Sequence, residues 1–151
     1  MVLRMNSPEA PHSFPIACGT SLPRILLIDD DPALLEGLGQ MLAIRLQRVQ
    51  IETCDGSALA LPTARQGQYD VILCDVWMPG IDGLELLPDL RQAAPDAVIF
   101  MMSAVLDDGV KEWAVAAGAT GFLVKPFDRD VLTMTLKQVL QQHLLPRRAA
   151  V

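Results

Sequence analysis

Five residues in this sequence could act together on a phosphoryl group: Asp29, Asp30, Asp75, Ser103 and Lys125. Asp75 closes the apolar run Val71–Cys74, which is too short for a comfortable helix and reads as a buried strand. The Met78-Pro79-Gly80 turn then takes the chain out of the sheet. A carboxylate at the C-terminal end of a buried parallel strand is where open α/β sheets place their chemistry. Taken alone, Asp75 would serve equally well as a turn cap. The other strand ends decide between these readings. Ile25–Ile28 runs into Asp29-Asp30-Asp31, Ala97–Met102 into Ser103-Ala104, and Thr120–Val124 into Lys125-Pro126.

Three carboxylates in one crevice repel one another, at roughly 4 kcal/mol per close pair for an effective dielectric near 20. A hard divalent cation relieves that cost, and an all-oxygen donor set favours Mg²⁺. A lysine ammonium and a serine hydroxyl beside such a site suit the oxygens of a phosphoryl group. The residue types therefore imply a phosphoryl group placed on, or bound beside, a carboxylate.

The elements that must position these side chains follow from periodicity. After the first strand, Asp31 is placed as an N-cap and Pro32 as a helix opener. Leu35, Leu38, Leu42 and Leu46 recur at helical spacing, so a helix is expected over about 32–47. Val49–Thr53 alternates apolar and polar, as an edge strand does. A weaker helix spans about 57–66, where Pro62 should kink or shorten it. A third helix, with Pro88 inside it, runs from Asp82 or Gly83 to about Ala94. The next has Val110, Trp113, Ala114 and Ala117 on one face and stops at Gly118. Asp128 caps the last, whose stripe is Leu132, Leu136, Val139 and Leu140.

Five strands alternating with five helices predict an α/β fold with a doubly wound, five-stranded parallel sheet and right-handed crossovers. The common strand order 2-1-3-4-5 makes the first and third strands neighbours. Asp29, Asp30 and Asp75 then converge on one crevice, flanked by Ser103 and Lys125.

At 151 residues the chain has the length of one domain with a real core. A hydrophobic content of 51% with 20% charged residues excludes a disordered polymer. The net charge of −6 argues against direct nucleic-acid binding by this chain. No apolar stretch reaches membrane-spanning length, and no secretory signal pattern opens the chain. Cys18, Cys54 and Cys74 are odd in number, lack metal-ligand spacing, and suit a reducing cytoplasm. Residues 1–22, rich in proline, read as a flexible leader or a start codon set too early. The domain is expected over 23–145 and a tail over 146–151.

The stretches Arg24–Asp31 (RILLIDDD), Tyr69–Leu87 (YDVILCDVWMPGIDGLELL), Met102-Ser103-Ala104 and Ala117–Phe127 (AGATGFLVKPF) resemble the receiver domain of a bacterial two-component response regulator. The resemblance covers roughly 24–144 and implies a (βα)5 flavodoxin-like fold. It implies that Asp75 accepts a phosphoryl group from a sensor histidine kinase or phosphotransfer protein. Asp29, Asp30, Asp75 and the Trp77 backbone carbonyl would hold Mg²⁺. Ser103 and Lys125 would bind the phosphoryl group, and Ser103 and Phe122 would form the switch. The chain would catalyse only its own phosphoryl transfer and dephosphorylation. Its output would pass to a downstream effector or output domain that lies outside these residues, or through homodimerisation on phosphorylation.

Some residues read two ways. Trp77 is either a surface aromatic without a role or a shield that lengthens the life of an acyl phosphate. Phe122 is the aromatic switch or simply core. Ser103 stands where the family more often has threonine and keeps the hydroxyl. His12 and His143 have no partners at catalytic or metal spacing. Two other functions compete. A phosphatase of the haloacid-dehalogenase type needs an acid two residues after its nucleophile, where Trp77 stands. A degenerate receiver acting only as a binding module would lack an acid or the lysine, and none is missing.

Overall fold

The computed structural model describes residues 21–105 and 107–149. All but the end of the leader expected over 1–22 lies outside the described residues, with His12 and Cys18. The elements are β1 (Arg24–Asp29), α1 (Pro32–Leu46), β2 (Gln50–Asp55), α2 (Ser57–Gln66), β3 (Val71–Asp75), α3 (Gly83–Ala93), β4 (Val98–Ser103), α4 (Asp108–Ala116), β5 (Gly121–Val124) and α5 (Arg129–Ala149). The five strands form one sheet in the order β2-β1-β3-β4-β5, and every pairing is parallel. This is the doubly wound fold expected from the strand and helix pattern.

The strands have apolar residues at successive positions because both sheet faces are covered, as parallel sheets require. Alternate residues then feed two separate cores. Leu26, Ile28, Ile72, Cys74, Ile99 and Met101 pack with Leu86, Leu87 and Leu90 of α3 and the small Ala60 and Ala64 of α2. Ile25, Leu27, Val71, Leu73, Val98 and Met102 pack with Leu35, Leu38 and Leu42 of α1 and Leu132 and Leu136 of α5. Each of these large side chains contributes about 1.5–3 kcal/mol by leaving water. β2 is the edge strand anticipated, with only Cys54 buried. Cys54 and Cys74 are buried free thiols.

Four helices begin on an aspartate whose Oδ1 accepts backbone N–H bonds from the first turn. Asp31 accepts from Ala33 and Leu34, Asp82 from Glu85, Asp107 from Gly109 and Val110, and Asp128 from Asp130 and Val131. The exception is α2, whose N-terminus has Gly56 and no side-chain cap.

Three expectations fare differently from the sequence reading. Pro62 and Pro88 leave α2 and α3 unbroken, and both rings lie on exposed faces, away from the core that the two helices cover. Of the α4 stripe only Ala114 is buried, and Trp113 is 46% exposed. That short helix covers the sheet edge beside the half-buried β5, where one methyl fills the space against the core. α5 continues through Pro146 to Ala149, so the segment read as a tail from Pro146 is largely helix.

Candidate functional site

The C-terminal edge of the sheet gathers the charged strand ends. β1 finishes on Asp29, 1% exposed, and its neighbour β3 finishes on Asp75, 5% exposed. Asp30 is exposed at the rim, and one carboxylate oxygen from each of the three lies within 4.8 Å of the others. Lys125 reaches in from the end of β5. Its Nζ is 2.7 Å from Asp29 Oδ2 and 3.1 Å from Asp75 Oδ1. Asp29 Oδ1 accepts the Asp31 N–H at 2.9 Å, so both oxygens of this buried carboxylate are engaged.

Backbone bonds hold these groups in register. The Val76 N–H donates to the Met102 carbonyl, and the Lys125 N–H donates to the Ser103 carbonyl, each at 2.9 Å. The Lys125-Pro126 peptide is cis. Behind Asp75, the Gly83 N–H donates to the Val76 carbonyl at 2.7 Å. A Cβ on Gly83 would lie 1.9 Å from the Asp75 carbonyl oxygen, so the close return of the chain at α3 admits glycine alone.

Burial pushes the Asp75 carboxyl above the usual carboxylate range, and the Asp29 charge adds to that, with Lys125 opposing both. Burial pulls Lys125 down, but its hydrogen bonds to Asp29 and Asp75 and their charges outweigh this, and its pKa is raised. Three hard oxygen donors whose mutual repulsion one ammonium only partly relieves are a fitting donor set for Mg²⁺. Their geometry also sets the Asp75 carboxylate against a cation, the Lys125 ammonium, at 3.1 Å.

Asp29, Asp30, Asp75 and Lys125 thus come together as anticipated. Ser103 is in place at the end of β4 and 1% exposed, but its hydroxyl points its bonds elsewhere. It donates to the Val105 carbonyl at 2.8 Å and accepts from the Val105 N–H at 3.1 Å. Phe122 is half-buried and packs against the core cluster containing α3 and Ala114 of α4. Trp77 is 59% exposed on the loop after Asp75.

Two contributors escaped the sequence reading. Ser57 looked like an ordinary helix start, yet its hydroxyl reaches the loop after β3, bonding Pro79 and Ile81. Arg91, which the sequence did not single out, donates from its guanidinium to the carbonyls of Ala97 at 2.7 Å and Gly118 at 2.6 Å. Neither carries a local signal, because each partner is remote or lies in irregular chain. An open polar cleft of about 260 Å³ lined by Arg24, Glu52, Thr63, Gln66, Gly67 and Tyr69 shares no residue with the carboxylate cluster.

Known proteins resemble this arrangement along most of its length. The family model described as the response regulator receiver domain matches residues 25–137. The C4-dicarboxylate transport transcriptional regulatory protein DctD of Pseudomonas aeruginosa is 36% identical over 123 residues, covering 81% of this chain and 26% of that protein. The transcriptional regulatory protein PrrA of Mycobacterium leprae is 34% identical over 127 residues, 83% of this chain and 53% of its own length. The chain therefore spans between about a quarter and a half of these curated relatives. Among solved structures, chemotaxis protein CheY4 of Vibrio cholerae superimposes with a TM-score of 0.67 at 34% identity, over 79% of this chain and 99% of that one. The signal receiver domain of an HD domain-containing protein from Pseudomonas fluorescens Pf-5 gives 0.77 at 25% identity, over 88% and 97%. With the family model matching residues 25–137 of its 151 and the sheet in the order β2-β1-β3-β4-β5, the chain belongs to the response regulator receiver domain family.

Proposed function

We propose that this receiver domain is a phosphorylation-activated switch in which Asp75 accepts the phosphoryl group from the phosphohistidine of a sensor kinase or phosphotransfer protein. The observation that carries this reading is the three-carboxylate cluster bridged by the Lys125 ammonium at 2.7 and 3.1 Å. Asp29, Asp30, Asp75 and the Trp77 carbonyl are the groups that would hold Mg²⁺. Bound there, the ion would neutralise the carboxylates and the incoming phosphoryl oxygens.

An Asp75 carboxylate oxygen attacks phosphorus in line, the P–N bond to the donor imidazole breaks, and the imidazole keeps that electron pair and takes up a solvent proton. Asp29 accepts hydrogen bonds from the Asp31 N–H and the Lys125 ammonium, which fix it beside Asp75 as a ligand for the ion. Lys125 exchanges its bond to Asp75 for one to a phosphoryl oxygen. The acyl phosphate adds nearly two negative charges. Ser103 meets that charge by leaving Val105, and Phe122 follows inward, repacking the face made by α4, β5 and α5. Turning such a two-state element from mostly off to mostly on takes about 5.5 kcal/mol of differential stabilisation.

The proposal extends to setting and partners. No helix among the described residues is long and apolar enough to cross a membrane, and a cytoplasmic location accords with the two buried free thiols. Output would go to an effector or output domain, or to a second copy. Borohydride trapping tests the acceptor: reduction converts an aspartyl phosphate to homoserine, which peptide mapping should place at position 75. Homoserine at Asp29 or Asp30 would overturn the assignment.

A further inference from the structure

We propose that Ser57 is a positioning residue for the metal and phosphoryl site, acting through the loop between β3 and α3; the inference rests on the function proposed above. Ser57 opens α2 and is 8% exposed. Gly56 occupies the N-cap position, and the Ser57 hydroxyl at the first helical position makes no cap for its own helix. The hydroxyl instead donates to the Pro79 carbonyl at 3.2 Å and accepts the Ile81 N–H at 3.4 Å. Between those two residues Gly80 has a φ of 94°, and a Cβ there would lie 3.4 Å from the Ser57 Oγ. One hydroxyl therefore closes the Pro79-Gly80-Ile81 turn from outside.

Among the described residues no other hydrogen bond reaches the backbone of Trp77–Ile81. The loop is pinned at its ends, where the Val76 N–H meets the Met102 carbonyl and the Gly83 N–H meets the Val76 carbonyl. In between, the buried Met78 side chain and the Ser57 hydroxyl are what fix it. The same loop carries the Trp77 carbonyl. Mg²⁺ demands near-ideal octahedral placement of its ligands, so a carbonyl free to wander binds it poorly. Outer groups that orient a ligand accordingly affect metal affinity without touching the metal.

The test is the melting temperature of the full chain as a function of Mg²⁺ concentration, which separates metal-free stability from the Mg²⁺ dissociation constant. Ser57→Ala should raise that constant about five- to tenfold. Ser57→Thr, which keeps the hydroxyl, should stay within about twofold of wild type. An unchanged constant in Ser57→Ala, whatever its metal-free stability, would overturn the inference, as would failure of Ser57→Thr to restore binding. Should Ser57→Ala not fold, Ser57→Cys, which keeps the volume and weakens both bonds, is read by the same criteria. A wild type whose melting ignores Mg²⁺ would overturn the proposed function and this inference with it. A responding wild type with an unaffected Ser57→Ala would overturn this inference alone.

Discussion

The Lys125 ammonium lies 2.7 Å from Oδ2 of Asp29, although two strands separate the strands that carry them. In the metal-free protein this lysine is the internal counter-charge of the acidic crevice, and its 3.1 Å contact to Asp75 is the longer of its two bonds. Its raised pKa means that this contribution is fully present at neutral pH and is lost only as pH rises through that raised value. Lys125→Met would leave Asp29 buried without a cation. We expect it to lower metal-free stability by about 2–3 kcal/mol, measured by urea denaturation, with part of the loss recovered in Mg²⁺.

Asp75 is the opposite case. Its carboxyl is pushed up by burial and by Asp29, so the folded protein keeps this proton over a range where the unfolded chain has lost it. Stability therefore falls as pH rises through that range, and the ionised Asp75 is a cost at neutral pH. Asp75→Asn should raise the metal-free melting temperature at pH 7 by roughly 2–4 °C. The gain should fade as pH drops below about 4, the ordinary carboxyl pKa of the unfolded chain, because both states then come to hold the proton. A melting series across pH checks both halves.

Gly83 has no room for a side chain, since its Cβ would stand 1.9 Å from the Asp75 carbonyl oxygen. Relief requires moving the backbone that aims Asp75. Gly83→Ala should cost about 3 kcal/mol or more in denaturant unfolding, and any folded fraction should accept phosphate poorly.

Ser103 must give up two bonds to Val105, at 2.8 and 3.1 Å, before it can reach a phosphoryl group. Those bonds tie the site to the chain leading into α4. Ser103→Ala should therefore still be modified at Asp75. Hydrogen exchange over 104–112 should be faster than wild type before phosphorylation and change little after it.

Much of this was legible because the fold's main signals are local. Short apolar runs ending on Asp29, Asp75, Ser103 and Lys125 marked the strand ends, and the strand order brought their side chains to one edge. Asp31 and Asp128 could be named as caps from position alone. What stayed hidden depends on contact across the sequence. Ser57 acts on a loop that no periodicity connects to it, and Arg91 binds carbonyls from two separate segments. The state of the Ser103 hydroxyl is likewise conformational, since the same residue could face Asp75 or Val105. Trp113 misled because helical spacing shows which residues share a face, not whether the edge of a sheet has room to bury them.

The most direct test of the central claim is the intact mass of the protein after incubation with acetyl phosphate and Mg²⁺, for wild type and Asp75→Asn. The wild type should gain one phosphoryl group, roughly 80 Da, and the gain should disappear in the variant and when Mg²⁺ is withheld. A folded wild type that gains no mass, or an Asp75→Asn protein that gains as much as wild type, would contradict that claim.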